Sequence, residues 1–253
     1  MEIGVNVRLL AMLGLVVGLV GGCASVTPLP AYPAMSDADA LRTIADRQEA
    51  VKSVSAECNL DLTDPRGQTV SMDGVLVAQF PGSFRLRAWK FGHAVFDLTL
   101  AGGKGWVMLP DDGPAAGKLD PANMAARRIG DAFDLLGPSF FRTASSVSEV
   151  HPTGGSRLLV VRGSALGRDD VICEIDRQTL TARRFVIRTA DGTNASELKL
   201  DAYAMTENGM VWPMRMNLRS SMGEVLVVVR SVELNGDVPV GAFVPPKRAV
   251  ELP

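Results

Sequence analysis

The spacing of apolar and polar positions divides the chain into stretches of different period. Leu9 to Val20 is apolar, follows Arg8 and is interrupted only by small residues, and it is shorter than the roughly 20 residues a membrane-crossing helix needs. The next stretch holds Pro28, Pro30 and Pro33 and has neither helical nor strand period. From Ser36 the pattern turns helical. Ser36-Asp-Ala-Asp39 fits a capping box, and Leu41, Ile44, Ala45, Val51 and Val54 recur at helical spacing. From Cys58 the period falls to two, through Cys58, Leu60 and Leu62, then Val75 and Val77, then Phe84, Leu86 and Ala88, then Phe96, Leu98 and Leu100. Turn residues at Asp64-Pro-Arg-Gly67, Pro81-Gly82, Phe91-Gly92 and Gly102-Gly103 separate these runs, which predicts successive antiparallel strands.

A loop from Asp111 interrupts the strands, and Asp120-Pro121 predicts a helix start followed by Met124, Ile129, Ala132, Phe133, Leu135 and Leu136, ending near Gly137-Pro138. Strand patterns resume at 158–161, 171–175, 182–187, 198–203, 211–218 and 224–234. The fold class predicted is α+β. It is a large curved antiparallel sheet, an incomplete β-barrel of about 11 strands, with an N-terminal helix and a helical insertion covering its concave face.

Composition narrows the function. The 26 basic and 28 acidic residues balance, with no basic block, so nucleic acid is not a predicted partner. The two histidines, His93 and His151, are far apart and have no Cys or His at ligand spacing, so neither a metal site nor a cofactor is predicted. No nucleophile elbow, phosphate loop or dinucleotide fingerprint occurs. Asp169-Asp170 and Asp111-Asp112 read as turn residues, and no enzyme activity is predicted. Cys58 and Cys173 both alternate with apolar neighbours; a disulfide between them and two buried thiols are both open.

Residues 1–22 read as a signal peptide, and Val20-Gly-Gly-Cys23 resembles a bacterial lipobox. That resemblance implies cleavage before Cys23 and its acylation, so Cys23 attaches the chain to a membrane and residues 23–35 form a Pro-rich tether. Ala24 and Ser25 lack the aspartate associated with inner-membrane retention in Gram-negative bacteria. The implied location is the outer membrane, facing the periplasm, with residues 36–253 as the folded domain.

Within that domain, Gly74-Val-Leu-Val-Ala-Gln-Phe-Pro-Gly-Ser-Phe-Arg85, Gly103-Lys-Gly-Trp-Val-Met-Leu-Pro110, Val232-Glu-Leu-Asn235 and Phe243-Val-Pro-Pro246 with Val250 resemble segments of the LolA/LolB-like lipoprotein-localisation factors and related lipid-carrying lipoproteins. The resemblance implies a cavity for an acyl chain, of a lipid or of a lipoprotein, and a role in their transfer. Strand alternation and helical spacing assign its lining to Leu41, Ile44, Val75, Val77, Phe84, Leu86, Phe96, Leu98, Leu100, Phe133 and Leu136. The soluble carriers tend to have Arg before the strand-turn proline, whereas this chain has Phe80. The anchored receptor branch carries an exposed apolar residue on a short hairpin, and Trp89-Lys-Phe-Gly-His93 falls there, making Phe91 the candidate; a ring folded back on the sheet is the alternative. The competing function is a structural or assembly lipoprotein that uses the same fold to dock proteins.

Overall fold

The computed structural model describes residues 28–108, 129–130, 132–137, 139–152, 157–165, 168–188 and 194–252. Helix α1 covers Asp37–Ala50; the Ser36 hydroxyl accepts the Asp39 amide at 3.1 Å, as the capping box predicts. The helix stops at Ala50, so Val51 caps it and Val54 belongs to the first strand.

Five strands follow: β1 (Ser53–Thr63), β2 (Thr69–Gln79), β3 (Ser83–Lys90), β4 (His93–Ala101) and β5 (Lys104–Met108). Residues 129–130 and 132–134 are helical, and a single turn, α2 (Ser139–Arg142), comes next. The remaining strands are β6 (Ala144–Val150), β7 (Leu158–Ala165), β8 (Arg168–Asp176), β9 (Ala182–Arg188), β10 (Asn194–Met205), β11 (Val211–Ser220), β12 (Gly223–Leu234) and β13 (Val250–Glu251). They form one open antiparallel sheet in the order β13-β5-β4-β3-β2-β1-β12-β11-β10-β9-β8-β7-β6. The sheet has 13 strands where about 11 were predicted. The additions are β6, whose Ser145, Ser146 and Ser148 hide any apolar alternation, and β13, two residues long.

Register decides which face is buried. Leu76 of β2 pairs with Ala56 of β1 and Leu86 of β3, and all three are buried. Val75 and Val77 face the other way, paired across β1 with Glu57 and Ser55 and across β3 with Arg87 and Arg85. Both are half-buried on the outer face, which corrects their assignment to the lining. The run from Gly74 to Ala78 is apolar at both phases, so its own period cannot choose a face; its neighbours do.

The two halves of the sheet meet at β1 and β12, where Val54 pairs with Leu234 and Leu62 with Val225. A bulge at Glu57/Cys58 turns Arg230 outward, where it pairs with Asp73 at 3.0 Å. The inner face is covered by Ala40, Ile44 and Ala45 of α1, by Ile129, Phe133 and Leu136, and by Phe140 and Phe141 of α2.

Because all neighbours are antiparallel, the turns alternate between two rims. Phe80–Gly82, residues 177–181, Thr206–Met210 and Asn235 lie at one rim; residues 64–68, 91–92 and 221–222 lie at the other. At the first rim the N-terminal segment is pinned. The Tyr32 amide donates to the Gln178 carbonyl at 2.8 Å, and Arg177 donates to the Met35 carbonyl. The tether predicted to run to residue 35 is thus held from Tyr32 onward. Asn235, in the left-handed region at φ 62°, ties the end of β12 to the start of β1 by accepting the Lys52 amide at 2.6 Å and donating to the Ala50 carbonyl at 2.8 Å.

From Asn235 the C-terminal segment crosses the outer face. Arg85 makes a two-pronged bond to Asp97, at 2.9 and 2.8 Å, and donates to the Ala242 carbonyl at 2.9 Å. Asp97 is 1 % exposed. The segment ends with β13 on the edge of β5 and Leu252 in the core.

Removing one partner of a buried ion pair leaves the other charge uncompensated. Asp97→Ala is expected to lower the unfolding free energy by about 3 kcal/mol, and Asp97→Leu with Arg85→Met by markedly less. Urea denaturation of the three proteins checks this; equal losses in single and double variants would show that the pair is not the source.

Candidate functional site

The inner face brings together most of the predicted lining. Ile44, Phe84, Leu86, Phe96, Leu98, Phe133 and Leu136 are buried in one cluster, against which Leu41 and Leu100 pack half-buried. Phe84 and Phe133 rings meet at 4.5 Å between centroids, joining β3 to the insertion. Leu98 and Leu86 sit in close-packed surroundings at 0 % exposure.

Among the described residues the gap on this face lies elsewhere, with a volume of about 20 Å3 between Ile129, Ala132, Phe133 and Leu136 and the strands β10, β11 and β12. It is lined on the sheet side by Leu198, Met216, Leu218, Val225 and Val227. None of these five was in the predicted lining, although their strands show the same alternation that identified β3 and β4. On the same strands, the Ser196 hydroxyl of β10 and the Trp212 indole N–H of β11 are buried and have no hydrogen-bond partner among the described residues. Each is an unspent polar group on an apolar wall, able to bond the polar part of an incoming ligand.

The outer face is ionic. Arg184 pairs with Glu174 at 3.0 Å and with Glu197, Arg219 pairs with Glu224 at 3.0 Å, and Asp170 lies in β8 within 3.8 Å of Arg162 and Arg188. Asp170 is therefore a strand residue, not a turn residue. Arg85 and Arg87 also face outward, toward Asp97, so they do not reach the mouth of an inner cavity.

Cys58 and Cys173 are free and buried, on strands separated by β12, β11, β10 and β9. Burial pushes the Cys58 thiol up to about 11 and raises that of Cys173 as well. Among the described residues no group of three or more His, Cys, Asp or Glu converges on a metal position, and no helix is long and apolar enough to cross a membrane. Cys23 and Asp111-Asp112 lie outside the described residues.

Phe91 is the largest exposed apolar side chain in the described structure, at 91 % exposure. It forms a two-residue turn with Gly92 between the paired residues Lys90 and His93. Both turn residues have positive φ, 51° for Phe91 and 78° for Gly92. A tight hairpin takes that backbone readily with Asn-Gly, and a phenylalanine there is strained. Lys90 places its ammonium 5.8 Å from the Phe91 ring centroid, and Arg87 lies over Trp89 at 5.2 Å. The ring projects and does not fold back on the sheet.

No protein-family profile and no curated protein matches the chain. Solved structures do. A domain named for outer membrane lipoprotein sorting, from Vibrio parahaemolyticus, superposes with a TM-score of 0.56 at 11% identity, covering 81% of this chain and 95% of that one. A LolA superfamily protein from Nitrosomonas europaea gives 0.56 at 10% identity, over 84% and 99% of the two chains. A DUF1329 family protein from Desulfovibrio piger gives 0.57 at 10% identity, over 81% and 94%. The chain has the LolA/LolB-like fold.

Two outcomes follow from this geometry. Phe91→Asn is expected to raise the unfolding free energy by about 0.5–1 kcal/mol, since it relieves a strained residue that buries nothing. A loss of stability would mean that the ring packs on the sheet in solution. In the folded protein at neutral pH neither Cys58 nor Cys173 is expected to react with iodoacetamide, while both react on unfolding; mass spectrometry counts the adducts, and rapid labelling of the native state would contradict their burial.

Proposed function

We propose that the chain is an envelope lipoprotein, anchored through acylated Cys23 to the outer membrane and facing the periplasm, whose inner face receives an acyl chain of a lipid or lipoprotein during transfer. The observation that carries this reading is the one-sided burial. A thirteen-stranded open sheet turns an apolar face toward a cover of helical segments, while its outer face is laced with ion pairs. Apolar concavity with a few polar groups is what acyl recognition needs, and no reacting group is required. The projecting Phe91 supports the receptor-like branch, in which the tip enters the acyl region of a membrane or the pocket of a delivering partner. Phe80 supports the same branch, since it replaces the arginine common in soluble carriers and places its ring against Gly137.

The gap of about 20 Å3 has room for one water, so an acyl chain entering there moves Ile129, Phe133 and Leu136 away from β10 to β12. The smallness of this gap favours a second reading, a docking lipoprotein whose cavity is filled by its own side chains.

Binding of a dansyl-labelled fatty acid separates the two. The acyl reading expects saturable binding that weakens several-fold in Met216→Trp, which fills the gap, whereas the docking reading expects no saturable binding to either protein. Cys23→Ala is expected to release the domain from the membrane fraction; retention there would remove the anchor. Phe91→Glu is expected to fold normally and lose transfer, because a charge must be desolvated at the contact, and normal transfer would remove Phe91 from the mechanism.

A further inference from the structure

The two rims of the sheet carry different projections. Of the large apolar side chains exposed in the described structure, Phe91 and Val70 lie at one rim, Val150, Val240 and Val244 at the other, and Val250 on the edge strand β13. Val240 is fully exposed at 107% and Val244 is 63% exposed, both in a Pro- and Gly-rich turn outside the core cluster.

That turn is tied at both ends. Its root is the Asn235 clamp on Lys52 and Ala50, and the Ser53 hydroxyl adds a bond to the Gly236 carbonyl at 2.9 Å. Its far side is fixed by Arg85 on the Ala242 carbonyl. Between these points the chain closes on itself through Ala242 N–H to the Pro239 carbonyl and Val244 N–H to the Gly241 carbonyl, both at 3.0 Å. An open groove of about 760 Å3 runs beside it, with Lys52 and Gln79 on its strand side. The turn carries one acidic residue, Asp237, and is flanked by the exposed Lys52 and Lys247.

The chain also leaves the domain at this rim. Tyr32 is bonded to Gln178 in the β8–β9 turn, and only the eight residues Ala24–Ala31 separate it from Cys23. Even fully extended they span roughly 30 Å, since a residue contributes at most about 3.6 Å. From the same rim to the Phe91 tip the eight residues of β3 alone rise about 26 Å. The leash is about as long as the domain is deep, so it bounds how far the tether rim lifts from the surface and leaves the orientation to whatever else that rim contacts.

We propose that the Val240 turn, with Val244 and Lys52, is a second membrane contact: it rests in the headgroup region of the bilayer holding Cys23 and directs the Phe91 rim away from that bilayer. Apolar tips beside lysines at a membrane-proximal rim have the chemistry of an interfacial contact. The proposal rests on the anchored reading above, and it adds an orientation. Phe91 then meets what arrives from the periplasm, not the bilayer beneath the domain.

The test uses the full acylated chain, reconstituted in vesicles of phosphatidylethanolamine and phosphatidylglycerol. Cys58 and Cys173 are buried, so a bimane label goes to the new thiol of Val240→Cys at one rim or of Arg66→Cys at the other. Nitroxide lipids are expected to quench the label at 240 several-fold more than at 66. Equal quenching at the two positions, or stronger quenching at 66, overturns the proposal while leaving the anchor standing. Flotation of the same vesicles reads the anchor separately: a chain that does not float overturns the anchored reading and the proposal with it.

Discussion

Everything in this molecule depends on the burial of one face of one sheet. Thirteen antiparallel strands cannot stay flat, because the right-handed twist of each strand accumulates across the sheet, and an open sheet of that size curls. Curling gives the inner face a concavity that must be filled, and burial of Leu60, Leu76, Leu86, Leu98, Leu159 and Ile175 supplies the drive. The seam between β1 and β12 makes this possible, since it joins the first strand to the last long one and turns two smaller sheets into a single wall. The helical segments follow as the cover. The outer face, freed from that demand, is left to ion pairs and to the C-terminal crossing.

The strands and their order were readable because alternation survives wherever one face is apolar and the other polar. Phe84, Leu86 and Ala88 face inward with Arg85 and Arg87 outward, and the structure keeps that phase. β2 was not readable at the same level, for Val75, Leu76 and Val77 are all apolar and only pairing with Ala56 and Leu86 fixes Leu76 inside. β6 escaped because an edge strand half in water needs no apolar period, and β13 because two residues have none. Asp97 gave no signal of its own. It sits in an apolar run, and its burial arises from Arg85, Arg87 and a chain segment 145 residues later that only the fold brings near.

The candidate site divides in the same way. Phe133 and Leu136 were legible from helical spacing and meet the sheet as predicted from it, but the gap they help to line lies against β10 to β12, on the far side of the seam from the strands first assigned to it. No local pattern records which strands a helix will cover, since that depends on the curvature of the whole sheet. Phe91 was legible from the turn that surrounds it, and the positive φ adds what sequence lacks: the residue is held there against its own backbone preference. A chain that strains a turn to expose an aromatic ring, and leaves Ser196 and Trp212 without a partner among the described residues, has kept features that stability does not ask for.

The central claim is that the inner face accepts an acyl chain. A photo-crosslinking amino acid placed at Leu218 on the inner wall, or at Val77 on the outer one, reads this in living cells. After irradiation, mass spectrometry of the peptide carrying the crosslinker keeps any acyl group carried elsewhere on the chain out of the count. The account predicts a lipid or lipoprotein-acyl adduct from position 218 and none from position 77. Adducts with protein alone at 218, or equal lipid adducts at both positions, would contradict it.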